Sequence, residues 1–148
     1  MPRVDFYLIA EQTAQARHLL ACRLIEKAYS FNHSVYVLTD SAADSQLIDA
    51  LLWTYREESF IPHNIVTPAD KAAPPIQIGH GKQTAPENQR DILINLGETI
   101  PIFYTQFQRV IEIVLNDAQQ QSKGREHFRL YREQSCQLEL HDLRKTSQ

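Results

Sequence analysis

The chain has 148 residues, enough for one domain with a real core, and its 43% hydrophobic and 22% charged residues are ordinary globular values. A formal net charge of −3 argues against a general DNA or RNA binder, which is usually basic, although local basic clusters can still matter. The two cysteines, Cys22 and Cys136, suit a reduced compartment. The opening MPRVDFYLIAEQ is too short an apolar run for a signal peptide, and no stretch approaches a membrane span, so a soluble cytoplasmic protein is expected.

Residues 4–10 (VDFYLIA) read as an opening strand buried on at least one face. Thr13 can cap the helix that follows, which runs to about Tyr29 with Leu20, Ala21, Leu24, Ile25 and Ala28 on one face and Cys22 as a packing residue. After a turn at Phe31, Asn32 and His33, residues 34–39 (SVYVLT) are β-branched and strand-like. Ser41 caps the next helix, and Asp44 three residues later resembles a capping box. In this helix Leu47, Ile48, Leu51, Leu52 and Tyr55 form one stripe, and Trp53, the only tryptophan, falls roughly 170° from its centre. An outward tryptophan reads as an interface anchor, or as a side chain covered by a second layer or by the C-terminal segment. The order so far is β-α-β-α, which favours a parallel sheet with right-handed crossovers.

Residues 57–64 (EESFIPHN), where Phe60 and Ile61 stand before a proline, receive no element, and the polar, proline-bearing stretch 66–75 reads as a loop. Residues 76–79 (IQIG) are a strand, 80–89 a more mobile loop, and 91–96 (DILINL) a short central strand. A brief helix is expected near 101–107, a strand at 110–115 (VIEIVL), and a last helix from Asp117 to about Gln134. The tail, 136–148, can add an edge strand through Leu138 and Leu140 before fraying. The expected fold is a single three-layer α/β domain spanning 1–148, an open and mostly parallel Rossmann-like sheet with helices on both faces.

Such a sheet invites a nucleotide, yet the turn after the first strand is Ala10-Glu11-Gln12-Thr13, without glycine and with an acid where phosphate would approach. Gly79-His80-Gly81-Lys82 lacks the strand–glycine–helix setting of a phosphate loop. The six histidines are scattered without ligand spacing, and His63 suits a loop-orienting role better than a catalytic one. No cofactor, metal or catalytic set is expected. One further signal lies in the last helix, where Arg125, Phe128, Arg129 and Arg132 share a face. Arginines around an aromatic can receive an acidic peptide or a C-terminal carboxylate beside an apolar side chain; they can equally be a solvated helix face.

The run ALLWTYREESFIPHN, followed by RDILINL and later by GREHFRLYR, resembles the chi subunit family of the bacterial DNA polymerase III holoenzyme, over nearly the whole chain. The resemblance implies a non-enzymatic accessory part of the clamp loader complex, Rossmann-like in fold but without a nucleotide site. It implies binding to the psi subunit and to the acidic C-terminal tail of the single-stranded DNA-binding protein, which ends in an apolar residue with a free carboxylate. Nucleic acid is then met only indirectly, and an accessory repair helicase is expected to compete with psi for one surface. By position, Trp53 and Phe60, with Pro62 shaping the segment, match the psi-side residues. Arg125 matches the tail-binding arginine, with Val114 on the neighbouring strand and Phe128 and Arg129 beside it. Some relatives carry a lysine one turn before that arginine where this chain has Gln121. The alternative from another class is a small nucleotide-dependent enzyme on a degenerate scaffold of the same kind.

Overall fold

The computed structural model describes residues 2–54, 62–65, 75–80 and 90–144. Along them run β1 (Arg3–Leu8), α1 (Ala14–Ser30), β2 (Val35–Thr39), α2 (Ala42–Thr54), β3 (His63–Ile65) and β4 (Ile76–His80). Then follow β5 (Ile92–Asn95), a 3-10 helix (Ile102–Gln106), β6 (Arg109–Val114), α3 (Ala118–Glu133) and β7 (Gln137–Asp142). The strands form one sheet in the order β3-β4-β2-β5-β6-β1-β7, and every pairing is parallel.

Alternation along the strands builds a core on each face. On one side Val35 and Val37 of β2, Ile92 and Ile94 of β5, and Ile111 and Ile113 of β6 pack against Ala21, Ile25 and Ala28 of α1 and Ile48 and Leu52 of α2. On the other, Val4 and Phe6 of β1, Tyr36 and Leu38 of β2, and Val110 and Val114 of β6 pack with Phe107 and with Phe128 and Tyr131 of α3. The result is the expected three-layer α/β arrangement, with helices on both faces of an open parallel sheet. Among the described residues no helix is long and apolar enough to cross a membrane.

The helix starts follow side-chain caps. Thr13 accepts from the Ala16 amide, Ser41 from that of Asp44, and Asp117 from that of Gln120. Cys22 lies at 0% exposure under α1, where burial pushes its thiol up to about 12 and suits packing rather than nucleophilic chemistry.

Two expectations need correction. The three-residue β3 follows directly on Pro62, in a segment that carried no strand pattern. In α2 the buried residues are Ser45, Ile48 and Leu52, while Leu47 is 57% exposed and Leu51 only partly buried. The small Ser45 faces the sheet because its hydroxyl contacts Thr39 Oγ1 at 2.8 Å and donates to the Gly79 carbonyl at 3.3 Å. That contact turns the buried face by roughly 60° from the five-residue aliphatic stripe. Trp53 therefore lies on the flank of α2, beside β3, rather than diametrically outward. Tyr55, the fifth member of the stripe, lies outside the described residues.

Candidate functional site: an apolar groove between the last helix and the last strand

Adjacent strands whose following helices leave to opposite faces mark where ligands settle on open α/β sheets. Here β1 feeds α1 on one face, and its neighbour β6 feeds α3 on the other. The crevice itself is closed. Asn116 Nδ2 donates to the Ala10 carbonyl at 3.2 Å, and the Asn116 amide donates to the Glu11 carbonyl at 2.9 Å. Beside this junction, on the α3 face, lies a cavity of about 370 Å³.

Its apolar wall comes from Phe6, Leu8 and Ile9 at the end of β1, Val114 and Leu115 at the end of β6, and Leu140 of β7. From α3 come Gln121, Gly124, Arg125 and Phe128, spaced 3, 1 and 3 apart, which is one helix face. Gly124 has a steric reason: a Cβ there would stand 2.9 Å from Val114 Cγ2. The missing side chain lets α3 rest on β6 and leaves the groove open along its floor. Phe128 is fixed by a tilted contact with Phe6, ring centroids 5.3 Å apart. Gln121, which also lines the cavity, donates to Asn116 Oδ1 at 2.9 Å.

Among the described residues Arg125 has no carboxylate within ion-pair distance, and it is exposed at the edge of this apolar surface. Its neighbour behaves differently. Arg129 lies one step further round the helix, pairs with Glu126 and Glu133, and does not line the cavity. Those two carboxylates hold its guanidinium pKa above the ordinary arginine value. Of the four tail-side residues expected from sequence, the groove gathers Val114, Arg125 and Phe128 and leaves Arg129 outside. It adds Phe6, Leu140 and Arg144, whose contribution depends on β1 and β7 lying side by side and is invisible in any local pattern.

A buried polar network holds α3 in place. Glu112 of β6 accepts from Tyr131 Oη at 2.7 Å and from Asn95 Nδ2 at 2.9 Å, and pairs with His127 Nδ1 at 3.0 Å. Tyr131 and His127 flank the groove residue Phe128 in sequence, so the network fixes the helix that carries it. Burial and the Glu112 charge together push the Tyr131 phenol far above its ordinary pKa.

The second expected surface lies at the other edge of the sheet. Trp53 is 54% exposed and its ring meets His63 of β3, centroids 4.7 Å apart. His63 is held in turn by Asp49, its Nε2 lying 3.2 Å from Oδ1. Pro62 is half-buried just before β3. Phe60 lies outside the described residues.

The chain is similar to known proteins over nearly its whole length. The sequence model of the family described as "DNA polymerase III chi subunit, HolC" matches residues 1–139. The chain is 40% identical over 143 residues to the DNA polymerase III subunit chi of Pseudomonas aeruginosa, covering 97% of this chain and 98% of that one. It is 30% identical over 135 residues to the subunit chi of Haemophilus influenzae, covering 90% and 92%. The corresponding protein of Escherichia coli is 26% identical over 136 residues, covering 89% and 92%. Matched by the family model over residues 1–139 and by these relatives almost end to end, the chain belongs to the DNA polymerase III chi subunit family.

Proposed function

We propose that this protein serves DNA replication as a non-catalytic adaptor of the polymerase III clamp loader complex. One surface, around Trp53, holds the psi subunit; the groove beside Arg125 holds the acidic C-terminal tail of the single-stranded DNA-binding protein. The observation that carries the tail reading is an apolar cavity with an arginine at its edge that has no carboxylate partner among the described residues. A chain end with an apolar side chain and a free carboxylate complements both features at once. The hydrogen bonds that close the β1–β6 crevice speak against the nucleotide-dependent alternative, and a nucleotide thermal-shift screen would test it.

Neither contact has to be tight. Many tails arrayed on coated DNA raise the effective concentration of the ligand, and tethering through psi adds a second attachment. The direct test is calorimetric titration of a synthetic tail peptide into the protein and its Arg125→Ala variant, with psi co-purification alongside. Arg125→Ala should weaken the peptide by about 1.5–3 kcal/mol and leave psi bound. Loss of both partners together would sink the two-surface model, because one groove change would then have unsettled the whole fold.

A further inference from the structure

We propose that Arg144 is the second cation of the groove, and that the terminal carboxylate of a bound acidic peptide lies between Arg144 and Arg125. This inference rests on the tail-groove reading above and assigns the position of the chain end within it. Leu140 of β7 and Arg144, two residues past its end, line the same cavity as Arg125 of α3. Both lie beyond residue 139, where the family-model match ends.

The register explains how they reach the groove. Phe6 pairs with Leu140 and Leu8 with Asp142, so these β7 side chains share the α3 face with Phe6 and Leu8. Arg144 already holds a carboxylate there. Its Nε donates to Asp142 Oδ1 at 2.9 Å and its Nη2 to Asp142 Oδ2 at 2.8 Å, the two-pronged geometry guanidinium uses for carboxylates. The Arg144 amide adds a third bond to Oδ1 at 3.1 Å. Asp142 thus stands in for a ligand carboxylate at the rim.

Such a stand-in is exchangeable. The side chains of Arg144 and Asp142 are 39% and 34% exposed, and pairs this wet contribute little to stability. A peptide that buries its last apolar side chain against Phe6, Val114 and Phe128 brings its own carboxylate to the same mouth. Arg144 can then turn from Asp142 to the peptide or bridge both, while Arg125 approaches from α3. Asp142 sets a threshold: it repels acidic chains that cannot also fill the apolar floor.

The test uses the full chain and two synthetic peptides copying the acidic tail, one with a free terminal carboxylate and one amidated. Arg144→Gln should weaken the free-acid peptide by about three- to tenfold and leave the amidated one nearly unchanged. Asp142→Asn should tighten the free-acid peptide by about two- to fivefold. Glu139→Gln, the same charge change on the opposite face of β7, should do less. An Arg144→Gln effect equal on both peptides overturns the placement of the terminal carboxylate. No effect of Arg144→Gln, with Arg125→Ala still weakening binding, overturns the role of Arg144 while leaving the tail groove standing. Failure of the free-acid peptide to bind the unaltered protein removes the groove reading itself, and this inference with it.

Discussion

Replacing Glu112 with glutamine tests whether His127 carries two protons in the folded chain. Its Nδ1 faces the Glu112 carboxylate at 3.0 Å and its Nε2 faces the Glu98 carbonyl at 3.1 Å. Both partners can only accept, so the fully bonded ring is the imidazolium. Burial alone would lower its pKa, as Lys123 also does. The hydrogen bond and charge of Glu112, with the Glu98 carbonyl, outweigh them and raise it above the ordinary histidine value. In Glu112→Gln the amide oxygen can still accept from Tyr131 and Asn95, while the amide NH2 meets Nδ1. That nitrogen must then accept, which selects the neutral ring protonated at Nε2.

What is lost is the difference between a charge-assisted and a neutral hydrogen bond, about 1–2 kcal/mol. Linkage sets where the loss shows. Because the folded pKa is raised, the stabilisation is complete below the unfolded value of about 6.5 and disappears as pH rises through the folded one. Urea unfolding of both proteins from about pH 6 to about pH 9 should give the widest gap at the acid end, closing toward the alkaline end. A gap of constant size, or a variant that keeps the parent's pH slope, would refute the assignment of the proton to His127.

Three further outcomes follow from the geometry. Gly124→Ala gains about 1 kcal/mol of helix propensity but sets a Cβ 2.9 Å from the χ1-restricted Val114, at a cost of about 1–3 kcal/mol. Thermal unfolding should therefore show no stabilisation, and tail-peptide affinity should fall as α3 lifts from β6; a clear rise in melting temperature would contradict the close approach. Tyr36→Phe removes a buried hydroxyl with no hydrogen-bond partner among the described residues, whose phenol burial pushes up to about 12. It should leave stability unchanged or raise it by about 0.5–1.5 kcal/mol in denaturant titration, and a loss beyond 1 kcal/mol would mean the hydroxyl is satisfied. Trp53→Ala should abolish psi co-purification, as an interface anchor worth about 2 kcal/mol or more, while the tail peptide still binds; intact psi binding would remove Trp53 from that interface.

Much of the fold was legible because its signals are local. The short apolar and β-branched runs of the strands, the capping residues Thr13 and Ser41, and the stop after Glu133 each depend on neighbours a few positions away. The buried face of α2 departs from its aliphatic stripe because a single buried serine, tied to Gly79 of β4, outweighs Leu47 in orienting the helix. The arginine face of α3 was legible as a pattern but not in its division of labour. Arg129 has Glu126 and Glu133 at i−3 and i+4, which a helical wheel could have flagged as partners; Arg125 has none among the described residues. The groove's other half was out of reach, since nothing in the order of residues says that Leu140 will lie beside Phe6.

The position of β3 and β7 at opposite edges has a mechanical consequence. Six inter-strand spacings of about 4.8 Å separate them, roughly 29 Å across a continuous hydrogen-bonded sheet. Trp53 sits by the first edge on one face, and the Arg125 groove by the second edge on the other. A ligand at one edge neither crowds nor screens a ligand at the other, because the distance exceeds the Debye length of about 8 Å in physiological salt. The sheet works as a rigid spacer. Under the proposed two-surface reading, partners at its two ends would exchange on separate clocks, and the release of one would leave the other's grip unchanged.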